Sequence, residues 1–67
     1  MTKFAERLKE LRLENNLSQR DLAEKTGFTQ PAIARWESNQ QIPNIETLVV
    51  FCKFFGVSSD YLLGLED

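Results

Sequence analysis

The sequence has no histidine and one cysteine, Cys52, in 67 residues. A lone cysteine excludes an intramolecular disulfide, and without histidine or a second thiol no metal site is expected. Cys52 sits in an apolar run and reads as a small buried hydrophobe. General acid–base catalysis near neutral pH most often uses histidine. Neither a glycine-rich phosphate loop nor a nucleophile elbow occurs. An enzyme is therefore not expected, nor a cofactor or small-molecule ligand. The longest unbroken apolar run, residues 48–52, is far too short to span a bilayer, and no signal-peptide pattern is visible. A cytoplasmic chain with no membrane partner is the expectation.

Positive charge is also scarce: the net charge is −2. It is unevenly spread. Residues 1–41 carry seven Lys/Arg against six Asp/Glu, whereas residues 42–67 carry only Lys53 against Glu46, Asp60, Glu66 and Asp67. A partner held by bulk positive charge is thus disfavoured, but the first two-thirds can face a polyanion while the acidic end points away. With 42% hydrophobic and 27% charged residues the chain is an ordinary globular one. Its length makes residues 1–67 a single domain. A domain of this size buries only about 60% of its unfolded surface, so its core is small.

What is present centres on residues 18–38, SQRDLAEKTGFTQPAIARWES. Ser18 is an N-cap residue, and Asp21 three positions on makes a short-armed capping box. Leu22 and Ala23 form the apolar side of a helix that Gly27 can end with a positive φ. Phe28 anchors the turn. Thr29 caps a second helix with Pro31 in its first turn, where no N–H is needed. Ile33 and Trp36, three apart, face inward together. Two short helices this close cross steeply, with Ala23 as the small residue at the crossing: a helix-turn-helix. The outward face of its second helix then carries Gln30, Pro31, Ala34, Arg35 and Ser38. It is flat, small and hydrogen-bonding, as an element entering a DNA major groove must be.

Before this unit, Phe4, Leu8 and Leu11 recur at helical spacing, with Ala5 alongside, and predict a helix over 2–15. Glu6–Lys9 and Arg7–Glu10 can pair on its solvated face. Asn15-Asn16 ends it, and Leu17 plugs the core. After the unit, Asn39 suits a left-handed helix end. Pro43-Asn44 opens a fourth helix over 45–55, ended by Gly56. There Ile45, Leu48, Cys52 and Phe55 form an inward stripe, widened by Phe51. Val49, Val50 and Phe54 lie further round. A small core needs only about a 100° stripe, so the excess points to a second surface. Val50 and Phe54, with Leu65, are the candidates for a homodimer contact. Ser58 caps a last short helix holding Tyr61, Leu62 and Leu63.

The ordered set Leu22-Ala23, Gly27-Phe28, Ile33, Ala34-Arg35-Trp36-Glu37, Pro43, Ile45-Glu46-Thr47-Leu48, Gly56-Val57-Ser58 and Tyr61-Leu62-Leu63-Gly64 resembles the lambda-repressor/Cro-type helix-turn-helix family over nearly the whole chain. The resemblance implies an all-α, five-helix, lambda-repressor-like domain, and a regulator of transcription, a repressor, binding double-stranded DNA as a homodimer. It implies that Arg12 pairs with Glu37 to tie the first helix to the recognition helix. It also implies that Gln19 bonds phosphate and braces Gln30. The Gln30 amide, a donor beside an acceptor, matches N6 and N7 of adenine. Arg35 reads guanine or holds a phosphate; both remain open. Arg20 and Thr29 are phosphate candidates, Pro31 can touch a thymine methyl, and Ala32 and Ala34 give shape but little code. Asn39 stands where the family usually has glycine. Gln40 and Gln41 stand where relatives often carry Lys or Arg, yet they can still donate to phosphate oxygens. The alternative is a protein-interaction module, an antitoxin-like or adaptor partner using the apolar excess of the fourth helix.

Overall fold

The computed structural model describes residues 2–66, which form five helices: α1 Phe4–Glu14, α2 Gln19–Thr26, α3 Gln30–Glu37, α4 Ile45–Phe55 and α5 Ser59–Leu63. No strand occurs among the described residues. The helix starts are fixed by short polar side chains. Ser18 Oγ accepts from the backbone N–H of Asp21, and Asp21 Oδ2 accepts from that of Ser18, both at 3.0 Å. These bonds hold the Asp21 carboxyl below its ordinary pKa. Thr29, Asn44 and Ser58 each cap the helix that follows by accepting an N–H three residues on. Replacing Ser18 with alanine frees the N–H of Asp21 and removes the box. A loss of about 1 kcal/mol in urea unfolding is expected. Because Asp21 is depressed in the folded state, its share of stability is full above the usual carboxylate pKa. It is lost as pH falls through the lowered value.

The helix ends follow the same local logic. Gly27 takes φ 83° and lets α2 stop and turn. Asn16 and Asn39 adopt φ 58° and 64°. After α3, Gln40 N–H bonds the Arg35 carbonyl and Asn39 N–H bonds that of Trp36, a Schellman closure made with asparagine in place of glycine. That closure sends residues 39–41 back alongside the last turn of α3.

The core is Phe4, Leu8 and Leu11 from α1, Leu22 and Ala23 from α2, Ile33 and Trp36 from α3, Phe51 from α4 and Leu62 from α5. Phe51 is its hub: the rings of Phe4, Phe28, Trp36 and Phe55 lie 5.3–6.5 Å from it. Phe28 also meets Trp36 edge-on at 5.0 Å, anchoring the turn between α2 and α3. Ala23, 4% exposed, is small enough to let those helices cross closely.

Three expectations need correction. Arg7 does not pair with Glu10; its guanidinium lies 4.2 Å above the Tyr61 ring and clamps α5 onto α1. Nor do Glu6 and Lys9 pair, since the ion pair among the described residues is Arg12–Glu37. The largest correction is the rotation of α4. Leu48, Cys52 and Phe55 pack against the core as expected, with Thr47 and Phe51 buried deepest, but Ile45 is 80% exposed. Seating Phe51 among four rings fixes the helix about its axis, and Ile45, 120° away around the wheel at 100° per residue, turns to solvent.

Candidate nucleic-acid interface

The outer face of α3 is built on the buried side of the same helix. Ile33 and Trp36 bind it to the core, which leaves Gln30, Pro31, Arg35 and Ser38 exposed and Ala34 half-exposed. No acidic side chain interrupts this face. The acid of α3, Glu37, points inward with only 4% of its side chain exposed.

Glu37 starts a chain of hydrogen bonds that runs from the interior to the surface. Arg12 Nε donates to Glu37 Oε2 at 2.6 Å and Nη2 to Oε1 at 3.0 Å, while Nη1 donates to the Leu17 carbonyl at 2.8 Å. The hydrogen bonds to Glu37 push the Arg12 pKa above its ordinary value despite burial, so the guanidinium stays charged. Gln19 Nε2 donates to Glu37 Oε1 at 3.1 Å. Gln30 Nε2 then donates to Gln19 Oε1 at 2.7 Å. Each member fixes the next. A buried, bidentate ion pair orients the Gln19 amide, and Gln19 orients the Gln30 amide on the exposed first turn of α3. Gln30 is left with one N–H and its carbonyl oxygen for another partner.

A second brace holds the far end of the face. Arg35 Nε donates to Gln41 Oε1 at 2.9 Å, and Ser38 Oγ donates to the Arg35 carbonyl. The Nη groups of Arg35 therefore project from a guanidinium steadied by the returning loop. This role of Gln41 was not foreseen. The signal was Asn39, whose left-handed conformation turns the loop back toward α3. Arg20, Gln40 and Gln41 are exposed. The Thr29 oxygen accepts from the Ala32 N–H at 3.3 Å, and its own hydroxyl proton stays available to donate. Ala32 departs from expectation: it is half-buried and packs on the core, so its methyl serves the domain more than the outer face. Of the proposed dimer residues, Leu65 is 73% and Phe54 39% exposed, whereas Val50 is half-buried.

The helix-turn-helix family profile matches residues 8–62. The chain belongs to this family, in its Cro/C1-type branch. Among its curated relatives is the HTH-type transcriptional activator BcrR of Enterococcus faecalis, 44% identical over 64 residues that make up 96% of this chain and 31% of BcrR. Solved helix-turn-helix structures superpose closely. The P22 c2 repressor in complex with a synthetic operator gives a TM-score of 0.86 at 32% identity, covering 94% of this chain and 96% of that one. SinR, a master regulator for biofilm formation in complex with DNA, gives 0.82 at 33%, covering 90% and 97%. The chain spans 31–57% of the length of the first curated relatives it matches. No helix of the described residues is long and apolar enough to cross a membrane.

Proposed function

We propose that this helix-turn-helix chain binds a palindromic operator in double-stranded DNA as a homodimer and acts as a repressor, with α3 in the major groove. The observation that carries the reading is the bracing of Gln30 by Gln19, itself held on the buried Arg12–Glu37 pair. An amide fixed in advance on an exposed first helical turn has no need of such support for folding. It has every need of it for presenting one N–H and one carbonyl oxygen to adenine N7 and N6. Similarity to the P22 c2 repressor and SinR, both solved on DNA, supports the same placement of α3.

The other contacts follow from position. Gln19, Arg20, Thr29, Asn39, Gln40 and Gln41 flank α3 and supply phosphate contacts, which fix orientation but carry no sequence information. Pro31 and Ala34 offer apolar surface to a thymine methyl. Arg35, with its Nη groups projecting, reads guanine or a phosphate. Few of these groups are cationic, so the complex depends on hydrogen bonds and on two copies binding together. A dimer places the two α3 helices about 34 Å apart, in successive major grooves.

The test is Gln30→Ala on an operator selected from random DNA. Specific affinity is expected to fall by about 1–3 kcal/mol, with preference relaxed at one base pair per half-site. Unchanged affinity and unchanged preference would remove Gln30 from the interface.

A further inference from the structure

The rotation of α4 leaves an outward stripe of Ile45, Glu46, Val49 and Lys53, all exposed. Ile42, just ahead of the helix, is 82% exposed, and Ile45 80%. A solvated helix face of this kind normally carries charges along its middle. This one carries two branched aliphatics, with one acid and one base beside them. At 100° per residue, Ile45 and Val49 fall on one flank of the stripe and Glu46 and Lys53 on the other. Neither Glu46 nor Lys53 makes an ion pair among the described residues.

We propose that this stripe is where a second copy of the chain docks, with the two α4 helices antiparallel about a two-fold axis beside Val49. The charge pattern selects this occupant. An isologous contact brings the same patch to both sides. In an antiparallel pair centred near Val49, the apolar flank of each copy meets the apolar flank of the other. Glu46 of each copy then comes opposite Lys53 of the other, so the pair forms twice. A parallel arrangement carries the charged flank of each copy onto the apolar flank of the other, and is disfavoured. The dimer contact thereby moves to Ile45 and Val49 at the centre, with Ile42 at each end, and away from Leu65. The inference rests on the homodimeric reading above, and it names the surface that makes the dimer.

Because each pair crosses between copies, charge reversal gives a distinctive pattern. The wild-type chain is expected to dimerise weakly at low salt in sedimentation velocity, and less so as salt rises. Glu46→Lys alone and Lys53→Glu alone each turn two attractions into two repulsions, and each is expected to weaken the dimer about tenfold. The double reversal in one chain restores it. So does mixing the two single variants, which then form heterodimers. Ile45→Ser weakens the dimer without charge rescue. All three positions are exposed, so circular dichroism is expected to show wild-type folding. A wild-type chain that stays monomeric at millimolar concentration overturns the proposal. So does dimerisation that ignores both reversals, as a contact through Leu65 would give. A double variant no tighter than the singles rejects the antiparallel register. Binding of wild-type chain to a duplex with one half-site reports on α3 by itself. Absence of binding even to a full two-half-site operator, with the dimer intact, would reject the DNA reading and leave this surface standing.

Discussion

Glu37→Ala is expected to cost about 3–5 kcal/mol of stability, the range for removing one partner of a buried ion pair. A domain of 67 residues has about 3–10 kcal/mol in total, so this variant sits at the edge of unfolding. The cost is not the strength of a salt bridge. The carboxylate accepts from Arg12 Nε, Arg12 Nη2 and Gln19 Nε2. Without it a buried guanidinium keeps only the Leu17 carbonyl. Replacing both members, as in Arg12→Met with Glu37→Leu, removes the stranded charge and is expected to be far milder than the single change. Urea denaturation of the two singles and the double closes the cycle. The double variant separates stability from function. It folds, but nothing then orients Gln19, and operator affinity falls although no residue on the exposed face of α3 has changed. If Glu37→Ala melts like the wild type, the pair is not buried as described.

The pair also marks where legibility in the sequence ends. Helix boundaries were readable because their causes are local: Ser18 with Asp21, Thr29 with Pro31, Asn44, Ser58, and the left-handed positions Asn16, Gly27 and Asn39 each act within four residues. The outer face of α3 was readable for the same reason, since Ile33 and Trp36 set its rotation. Arg12 and Glu37 are 25 residues apart, and no local rule joins them; family resemblance supplied that contact. The brace between Arg35 and Gln41 depends on the path of a loop, which residue types alone do not specify. Gln19 lay between these cases. Its place at the start of α2 was legible, but its two hydrogen bonds require α1, α2 and α3 to be assembled.

Phe51→Ala is expected to destabilise the domain by about 3–5 kcal/mol, whereas Ile45→Ala changes stability by less than about 0.5 kcal/mol. The inward stripe read from the sequence, Ile45, Leu48, Cys52 and Phe55 widened by Phe51, puts both residues inside and would make both substitutions costly. Eight of the eleven residues of α4 are apolar, so periodicity has almost no polar positions from which to take its phase. Only Glu46, Thr47 and Lys53 interrupt the run, and Thr47 is itself buried, so one of the three misleads. The rotation is decided by what one ring can reach. Phe51 is fully buried and touches the rings of Phe4, Phe28, Trp36 and Phe55, so truncating it opens a cavity where α1, α3 and α4 meet. The Phe28–Trp36 contact that positions the turn before α3 loses its support from below. Urea unfolding of both variants, at concentrations low enough to keep the chain monomeric, measures the difference. Equal losses would mean that α4 is turned so that Ile45 is inside. That outcome would also withdraw the apolar stripe from the surface, and with it the docking of a second copy there.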